Sequence, residues 1–206
     1  MYPKKPIEMK KTIIQILLLV VIIILAYLVY QSVNTPLKFN AEKEAREDVV
    51  IQDLKDIRSG QLIYKKMYDK YASDFDTLIT FLRDGEIPIV KKVPDPNDTT
   101  FTLTINDTIG FIKVADSLYG RRPHFNLDSL PYIPNSGKLY TLRAGEIKRG
   151  GLSVHVFEAK AHYNEILKGL DEQLIINLIK ARKDIEKYPG LMVGSMDEPS
   201  TDGNWE

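Results

Sequence analysis

An apolar run near the amino terminus constrains this chain more than any other feature. From Thr12 to Tyr30 the only strongly polar residue is Gln15. As an α-helix, this run extends about 28 Å, roughly the thickness of the hydrocarbon layer of a bilayer. A continuous helix pairs its backbone N–H groups internally, as a lipid environment demands. The run therefore predicts a transmembrane helix, placed at residues 12–31.

Two other interpretations of the run are less favoured. A cleaved signal peptide has an apolar region of about 7–15 residues that ends in a small-x-small site. Here Ala26 is followed by Tyr-Leu-Val-Tyr, which is not such a site. A buried core helix is disfavoured because Ile, Leu and Val cover all of its faces. We predict an uncleaved signal anchor.

The distribution of basic residues predicts the orientation of this anchor. Four lysines precede the helix, whereas the basic residues that follow it are interspersed with acidic ones. The positive-inside rule then places the amino terminus in the cytoplasm. We expect a bacterial inner-membrane protein with a basic cytoplasmic leader at residues 1–11 and a periplasmic α+β domain at residues 37–206 with an acidic tail.

Charge and composition exclude several classes of function. The chain carries 28 basic and 28 acidic residues, with a net charge of +3 over residues 1–34 and −3 over the remainder. A mildly acidic domain is poorly suited to nucleic acid, whose phosphates require clustered Lys and Arg. The chain has no cysteine, which excludes disulfides, thiolate metal sites and cysteine nucleophiles.

A second helical pattern follows the anchor. The sequence Asn34-Thr35-Pro36 predicts an interruption, since the residue before a proline disfavours helix. From about Phe39 the pattern resumes, with one face formed by Val50, Leu54, Ile57, Gln61, Tyr64 and Tyr68. Gly60 within this helix predicts close packing against another element. A short second helix is expected between an Asp74 N-cap and Gly85.

After Gly85 the pattern changes to short strands. Strands are predicted at residues 87–93, 99–107 and 110–118, followed by a long loop at 119–137. Two more strands are expected in KLYTLRAGEI and LSVHVFEAKAHY, then a helix from Asp171 to about Tyr188 and a final strand in GLMVGSM. The predicted fold is α+β: a transmembrane helix, an amphipathic helix packed on a small antiparallel sheet, and one further C-terminal helix.

Motifs for catalysis or cofactor binding are lacking. The sequence contains no Gly-x-Ser-x-Gly, Gly-x-Gly-x-x-Gly or Walker A pattern. His155, Glu158 and His162 do not share a face if their segment is a strand. We therefore predict a non-enzymatic protein without catalytic, cofactor or metal residues. Asp197 and Asp202 in the acidic tail are calcium candidates, although their spacing is not that of an EF-hand.

Three residues are candidates for interaction. Arg121 and Arg122 lie in the predicted long loop, where they are available to a phosphate, a lipid headgroup or an acidic partner. Trp205 is the only tryptophan and stands one residue from the end of the chain. A terminal tryptophan either docks into its own domain or contacts a partner. Docking is the interpretation we favour.

The layout resembles that of type IV pilins and type II secretion pseudopilins, in which an apolar helix continues into an amphipathic helix and a small antiparallel sheet. Tyr64, Asp69, Tyr71 and Leu78 are similar to a pseudopilin run, and STDGNW with Asp202 is similar to the calcium-binding tail of the major pseudopilin. The leader differs from pilin leaders in having no glycine. The layout is also similar to that of uncharacterised single-pass envelope proteins from Bacteroidota.

Two functions are consistent with these patterns. The first is a structural or assembly component of a cell envelope or secretion machine, with envelope or secretion proteins and further copies of the chain as candidate partners. The alternative is a membrane-anchored ligand-binding or sensing module with its site at Arg121 and Arg122. An anchored hydrolase is the least favoured interpretation.

Overall fold

One long helix determines the architecture. The structure, a computed structural model, describes residues 7–94, 104–123 and 125–206. Helix α1 runs from Ile7 to Tyr68, a length of 62 residues. Residues 11–33 of this helix are exposed, whereas Val50, Leu54 and Ile57 are fully buried. A single element therefore contains both the apolar span and the base of the folded domain.

The predicted interruption at Asn34–Pro36 is wrong. Helix α1 is continuous through these residues and contains Pro36. A proline removes one i to i−4 hydrogen bond and can bend a helix without ending it. The apolar run on one side and the packed stripe from Val50 on the other keep both flanking segments helical.

Within the described part of the chain, α1 is the one helix long and apolar enough to cross a membrane. None of the side chains in its apolar window is buried inside the protein. A helix that is apolar on every face and packs against nothing in its own chain suits a lipid environment. The structure therefore fits a single-pass membrane protein.

The helical corner after α1 has the predicted form. Helix α2 spans Phe75–Asp84, and the Asp74 carboxylate accepts a hydrogen bond of 2.7 Å from the Thr77 N–H. At the other end, the Gly85 N–H donates to the Phe81 carbonyl at 2.8 Å. A Cβ added at Gly85 would lie 2.4 Å from that carbonyl oxygen, so the close backbone approach requires glycine there.

Gly60 allows α1 and α2 to pack closely, as its position in the sequence predicts. A Cβ added at Gly60 would stand 3.1 Å from Leu82 Cδ2. Leu82 and Leu78 of α2 are themselves fully buried. The missing side chain on α1 therefore creates the space that the leucines of α2 fill.

The strands form two separate antiparallel sheets rather than the single sheet predicted. The first pairs β1 with β2, and the second has the order β3-β4-β5. Their bounds are Glu86–Pro94, Thr104–Lys113, Thr141–Arg149, Leu152–His162 and Gly190–Gly194. The helices that follow α2 are α3 at Val114–Tyr119, α4 at Tyr163–Ile166 and α5 at Glu172–Asp184, and a 3-10 turn occupies Leu127–Ser129. The α+β class is confirmed.

The strand predicted at residues 110–118 is only partly correct. β2 includes Gly110–Lys113, but the chain becomes helical at Val114, which is fully buried. Within the predicted loop at 119–137, the described residues are irregular apart from the end of α3 and the 3-10 turn. Residues 99–103 of another predicted strand lie outside the described residues.

A glutamine in the buried stripe of α1 holds the turn between α1 and α2. Gln61 is fully buried, and its side-chain amide donates to the Ala72 carbonyl and accepts from the Ala72 N–H, both at 2.8 Å. A side-chain amide that satisfies both backbone groups of one residue replaces the pairing a strand would provide. The turn can therefore be buried without unpaired polar groups at Ala72.

We expect Gln61→Ala to lower the free energy of unfolding by about 2–4 kcal/mol, because it leaves the buried N–H and carbonyl of Ala72 unpaired. Urea unfolding of the detergent-solubilised full chain measures this change. Gln173→Ala, which truncates an exposed glutamine on α5, is the matched control and should change the value little. Equal effects of the two substitutions would contradict the assigned role of Gln61.

Candidate interaction surface

The hairpin formed by β1 and β2 is a two-stranded sheet that stands apart from the other three strands. Its register pairs Glu86 with Lys113 and continues to Ile89 opposite Gly110. The next pair is Val90 with Thr108, so Ile109 is an extra residue in β2 and forms a β-bulge. Two-stranded hairpins are marginally stable alone, so this one depends on what supports it.

The support is provided at the base of the hairpin. The Val114 N–H donates to the Gly85 carbonyl at 2.9 Å, which closes the two strands where they leave α2 and enter α3. Val114 is fully buried, and Ile87 is partly buried against the core. The hairpin is therefore fixed to the domain at one end.

Beyond its base, the hairpin exposes large apolar side chains. Ile109 and Phe111 are 63% and 64% exposed. Ile89 and Val90 are also exposed, and as neighbours in a strand they point to opposite faces. Among the described residues of the hairpin, Ile105 and Ile112 are also exposed apolar residues. Several exposed large apolar side chains on one two-stranded sheet are typical of a surface that contacts another molecule.

The two edges of the hairpin differ in their capacity for further strand pairing. β1 contains Pro88 and Pro94, which have no N–H to donate, and prolines of this kind commonly block an edge strand. β2 contains no proline and, within the described residues, pairs with β1 alone. The outer edge of β2 is therefore the one suited to accept a strand from a partner.

Arg122 is committed to a partner inside the domain. Its guanidinium donates to both carboxylate oxygens of Asp56, at 2.6 and 2.9 Å, and it lies over the rings of Tyr119 and Phe125. Asp56 is a buried residue of α1. Arg121, in contrast, is exposed. The structure therefore separates the predicted pair, leaving Arg121 directed to the surface and Arg122 in an internal ion pair.

The sequence pattern does not identify Arg122 as the partner of Asp56. Asp56 lies 66 residues before Arg122 and next to Ile57 on the buried side of α1. Its one local signal is an acidic residue adjoining an apolar helical stripe, which calls for a compensating partner. The Tyr119 hydroxyl also donates to the Asp56 carbonyl, at 3.1 Å. These contacts attach the segment after α3 to the long helix.

A second carboxylate lies beside the first. Asp53 accepts a hydrogen bond of 2.9 Å from the Tyr140 hydroxyl. Burial raises the pKa of Asp53 to about 6, the negative charge of Asp56 adds to this effect, and the Tyr140 hydrogen bond opposes it. Asp56 is thus paired with the Arg122 guanidinium, whereas burial disfavours the charged form of the neighbouring Asp53.

The acidic tail is bound along strand β5. The Gly194 N–H donates to the Asp202 carbonyl at 3.0 Å, and Asn204 bonds to the backbone of Gly190 and Met192. Trp205 packs against the hydrophobic core. Glu206 accepts from Arg58 of α1 at 2.8 Å. The structure therefore has the docked arrangement of the tail, with Trp205 turned toward its own domain.

The two calcium candidates are not brought together with further acidic ligands. Asp202 accepts a hydrogen bond of 3.1 Å from the Ser200 hydroxyl, and the Asp197 N–H donates to the Ser195 hydroxyl at 3.1 Å. Among the residues that the structure describes, no group of three or more His, Cys, Asp or Glu side chains could hold a metal ion. Asp197 and Asp202 belong to local turns.

A cleft of about 430 Å³ lies between the end of α1 and strands β3 and β4. Lys70, Ser73 and His155 are among the residues that line it. His155 is thus on the cleft, whereas His162 accepts from the Asn164 N–H at 3.2 Å and caps α4. The structure therefore separates His155 from His162, in agreement with the alternation of side chains between the two faces of a strand.

No protein-family model, curated protein or solved structure matches the chain. The pilin-like resemblance therefore stays a prediction, and the function has to be argued from the chain's own surfaces.

We expect Arg122→Ala to lower the free energy of unfolding by about 2 kcal/mol, because it removes a charge-assisted pair and leaves the buried Asp56 carboxylate uncompensated. Arg121→Ala is the control, since it removes the same charge from an exposed neighbour. Urea unfolding in detergent compares the two variants. An equal loss in both would contradict the assignment of Arg122 to the interior.

The raised pKa of Asp53 predicts a pH-dependent stability. The folded state binds a proton on Asp53 more tightly than the unfolded chain, so this contribution is present below about pH 4 and is lost as the pH rises through about 6. Asp53→Asn, which keeps an acceptor for Tyr140, should therefore stabilise the fold more at about pH 7 than at about pH 4. Urea unfolding at the two pH values measures this difference.

Asp48→Asn provides the control, because it removes the same charge from an exposed site on the same helix. A gain from Asp53→Asn that is identical at the two pH values would contradict the assignment.

Proposed function

We propose that this protein is a non-enzymatic assembly component of a bacterial cell envelope or secretion machine, acting through protein contacts made by the β1–β2 hairpin. The anchor is held in the inner membrane, the leader lies in the cytoplasm, and the domain lies in the periplasm. The observation that carries the proposal is the apolar surface of the hairpin, with Ile109 and Phe111 more than half exposed.

The continuity of α1 supports this proposal. Gly60, where α2 packs on α1, is 30 residues after Tyr30, so about 45 Å of helix separates it from the end of the apolar run. The hairpin leaves the domain directly after α2. A stiff helix that holds an apolar hairpin at a set height above a membrane is suited to meeting another envelope protein.

The internal contacts of the other candidate residues also favour the hairpin. Arg122 is paired with Asp56, and Trp205 packs on the core. Of the interaction candidates in the sequence, Arg121 alone is fully directed to solvent. A binding module built on the arginine pair would need to break the Asp56 contact first, which makes the sensing function the less favoured of the two.

We expect the double substitution Ile109→Thr and Phe111→Thr to abolish crosslinking of the protein to its envelope partners. Threonine keeps the strand propensity but removes the apolar surface, so the thermal unfolding midpoint should change little. Crosslinking in intact membranes, followed by mass spectrometry, identifies the partners. This readout also reveals copies of the chain itself as partners.

Leu152→Thr is the matched control, because Leu152 is a 72% exposed apolar residue at the turn end of the β3–β4 hairpin. It should leave the crosslinks unchanged. The same set and yield of crosslinks in the β2 double variant as in the unmodified protein would refute the role of the hairpin.

A further inference from the structure

The start of α5 lies near the end of the apolar run of α1 and the residues that follow it. A groove of about 420 Å³ is lined by Leu28, Gln31 and Ser32 of α1 and by Gln173 and Leu174 of α5. A second groove of about 630 Å³ continues along α1 past Phe39 to Leu170. The base of the folded domain therefore reaches the level of the membrane-spanning segment.

The charge pattern of α1 gives the depth of this contact. Between Lys11 and Lys38 there is no charged residue, a stretch of 26 residues that is helical throughout. Such a helix is about 39 Å long, close to the full thickness of a bilayer including its headgroup layers. Residues 31–37 then occupy the headgroup layer on the side of the domain, and the groups of α5 that face them share that depth.

Helix α5 rises away from this layer alongside α1. Its first turn faces residues 28–36, whereas Arg182 near its end contacts the Tyr163 hydroxyl at 3.3 Å. That hydroxyl donates to Glu47 of α1 at 2.6 Å. The start of α5 is therefore near residues 28–36 of α1, and its end is joined through Tyr163 to Glu47, which lies further along α1 from the apolar run.

This placement accounts for apolar side chains that the domain leaves uncovered. Val33 and Leu37 of α1 are exposed, and Ile176, one turn into α5, is 56% exposed. Lys38 and Asp171 line the second groove, and Lys168 and Glu172 line a third groove of about 330 Å³, which shares Leu170 with the second and includes Ile176. A zwitterionic phospholipid, with its phosphate, its ammonium group and an apolar glycerol-ester region, complements such a surface.

We propose that the first turn of α5, together with the groove it forms with α1, is seated in the headgroup layer and binds zwitterionic phospholipid. The domain is thereby held against the bilayer at a second point besides the anchor. This contact depends on α1 spanning the membrane and is independent of the hairpin and its partners.

The absence of native cysteine allows a direct test in the full chain. Ile176→Cys places one spin label on α5, and Ile185→Cys places another on the residue directly after its end; the two isoleucines are 56% and 60% exposed. The labels are separated by about 14 Å along the helix. The purified variants are reconstituted into phosphatidylcholine vesicles, and the accessibility of each label to oxygen and to a water-soluble nickel complex is measured.

We expect the label at residue 176 to be severalfold less accessible to nickel and more accessible to oxygen than the label at residue 185. Leu37→Cys provides the reference for the headgroup depth. Equal, water-like accessibility at 176 and 185 would overturn the proposal. Protection at 176 that appears only in vesicles containing anionic phosphatidylglycerol would overturn the assignment to zwitterionic lipid.

The thermal unfolding midpoint of each labelled variant is first measured in detergent, which shows whether the label at residue 176 disturbs folding. If the label at 176 destabilises the domain, Gln173→Cys replaces it, since Gln173 is exposed, belongs to the first turn of α5 and lines the groove with α1. The same two outcomes then decide the question.

Discussion

The buried stripe of α1 is the interaction on which the rest of the structure depends. Val50, Leu54 and Ile57 are removed from water on a helix whose residues 11–33 are exposed. Burial of such side chains contributes about 1.5–3 kcal/mol each, and α2, β4 and β5 all pack on α1. Because the stripe and the apolar run belong to one helix, continuous helix connects the domain to the apolar run.

Polar residues within that stripe determine how the chain is arranged around it. Gln61 satisfies both backbone groups of Ala72, and Asp56 binds Arg122. A buried polar group without a partner is costly, so each of these side chains favours one arrangement of the segment it holds. Non-directional apolar burial provides the stability, and these directed contacts select where the α1–α2 turn and the segment after α3 lie.

The parts of the fold that were predictable are those with local signals. The apolar run, the Asp74 cap, the close packing at Gly60 and the strands β3 to β5 each have a pattern within a few neighbouring residues. The interruption at Pro36 was predicted wrongly because a local preference against helix was outweighed by stable helix on both sides. The end of β2 was misplaced because Val114 suits a strand as well as the buried start of a helix.

The candidate site was less predictable for a related reason. Arg121 and Arg122 are adjacent and chemically identical, so the sequence offered no basis for separating them. The distinction depends on Asp56, which is distant in sequence and meets Arg122 only once α3 is packed. The exposure of the hairpin was hidden as well, since Ile89, Val90 and Phe111 have the composition of a buried strand.

Three exposed apolar surfaces of this chain lie at successive levels along the direction of α1. The apolar run comes first, Ile176 and the start of α5 come next, and the hairpin that follows α2 comes last. Exposed apolar area lowers solubility unless something covers it, so each surface implies a covering medium. We propose lipid for the first and the headgroup layer for the second. For the hairpin, which follows α2, we propose a protein partner as the means of removing Ile109 and Phe111 from water.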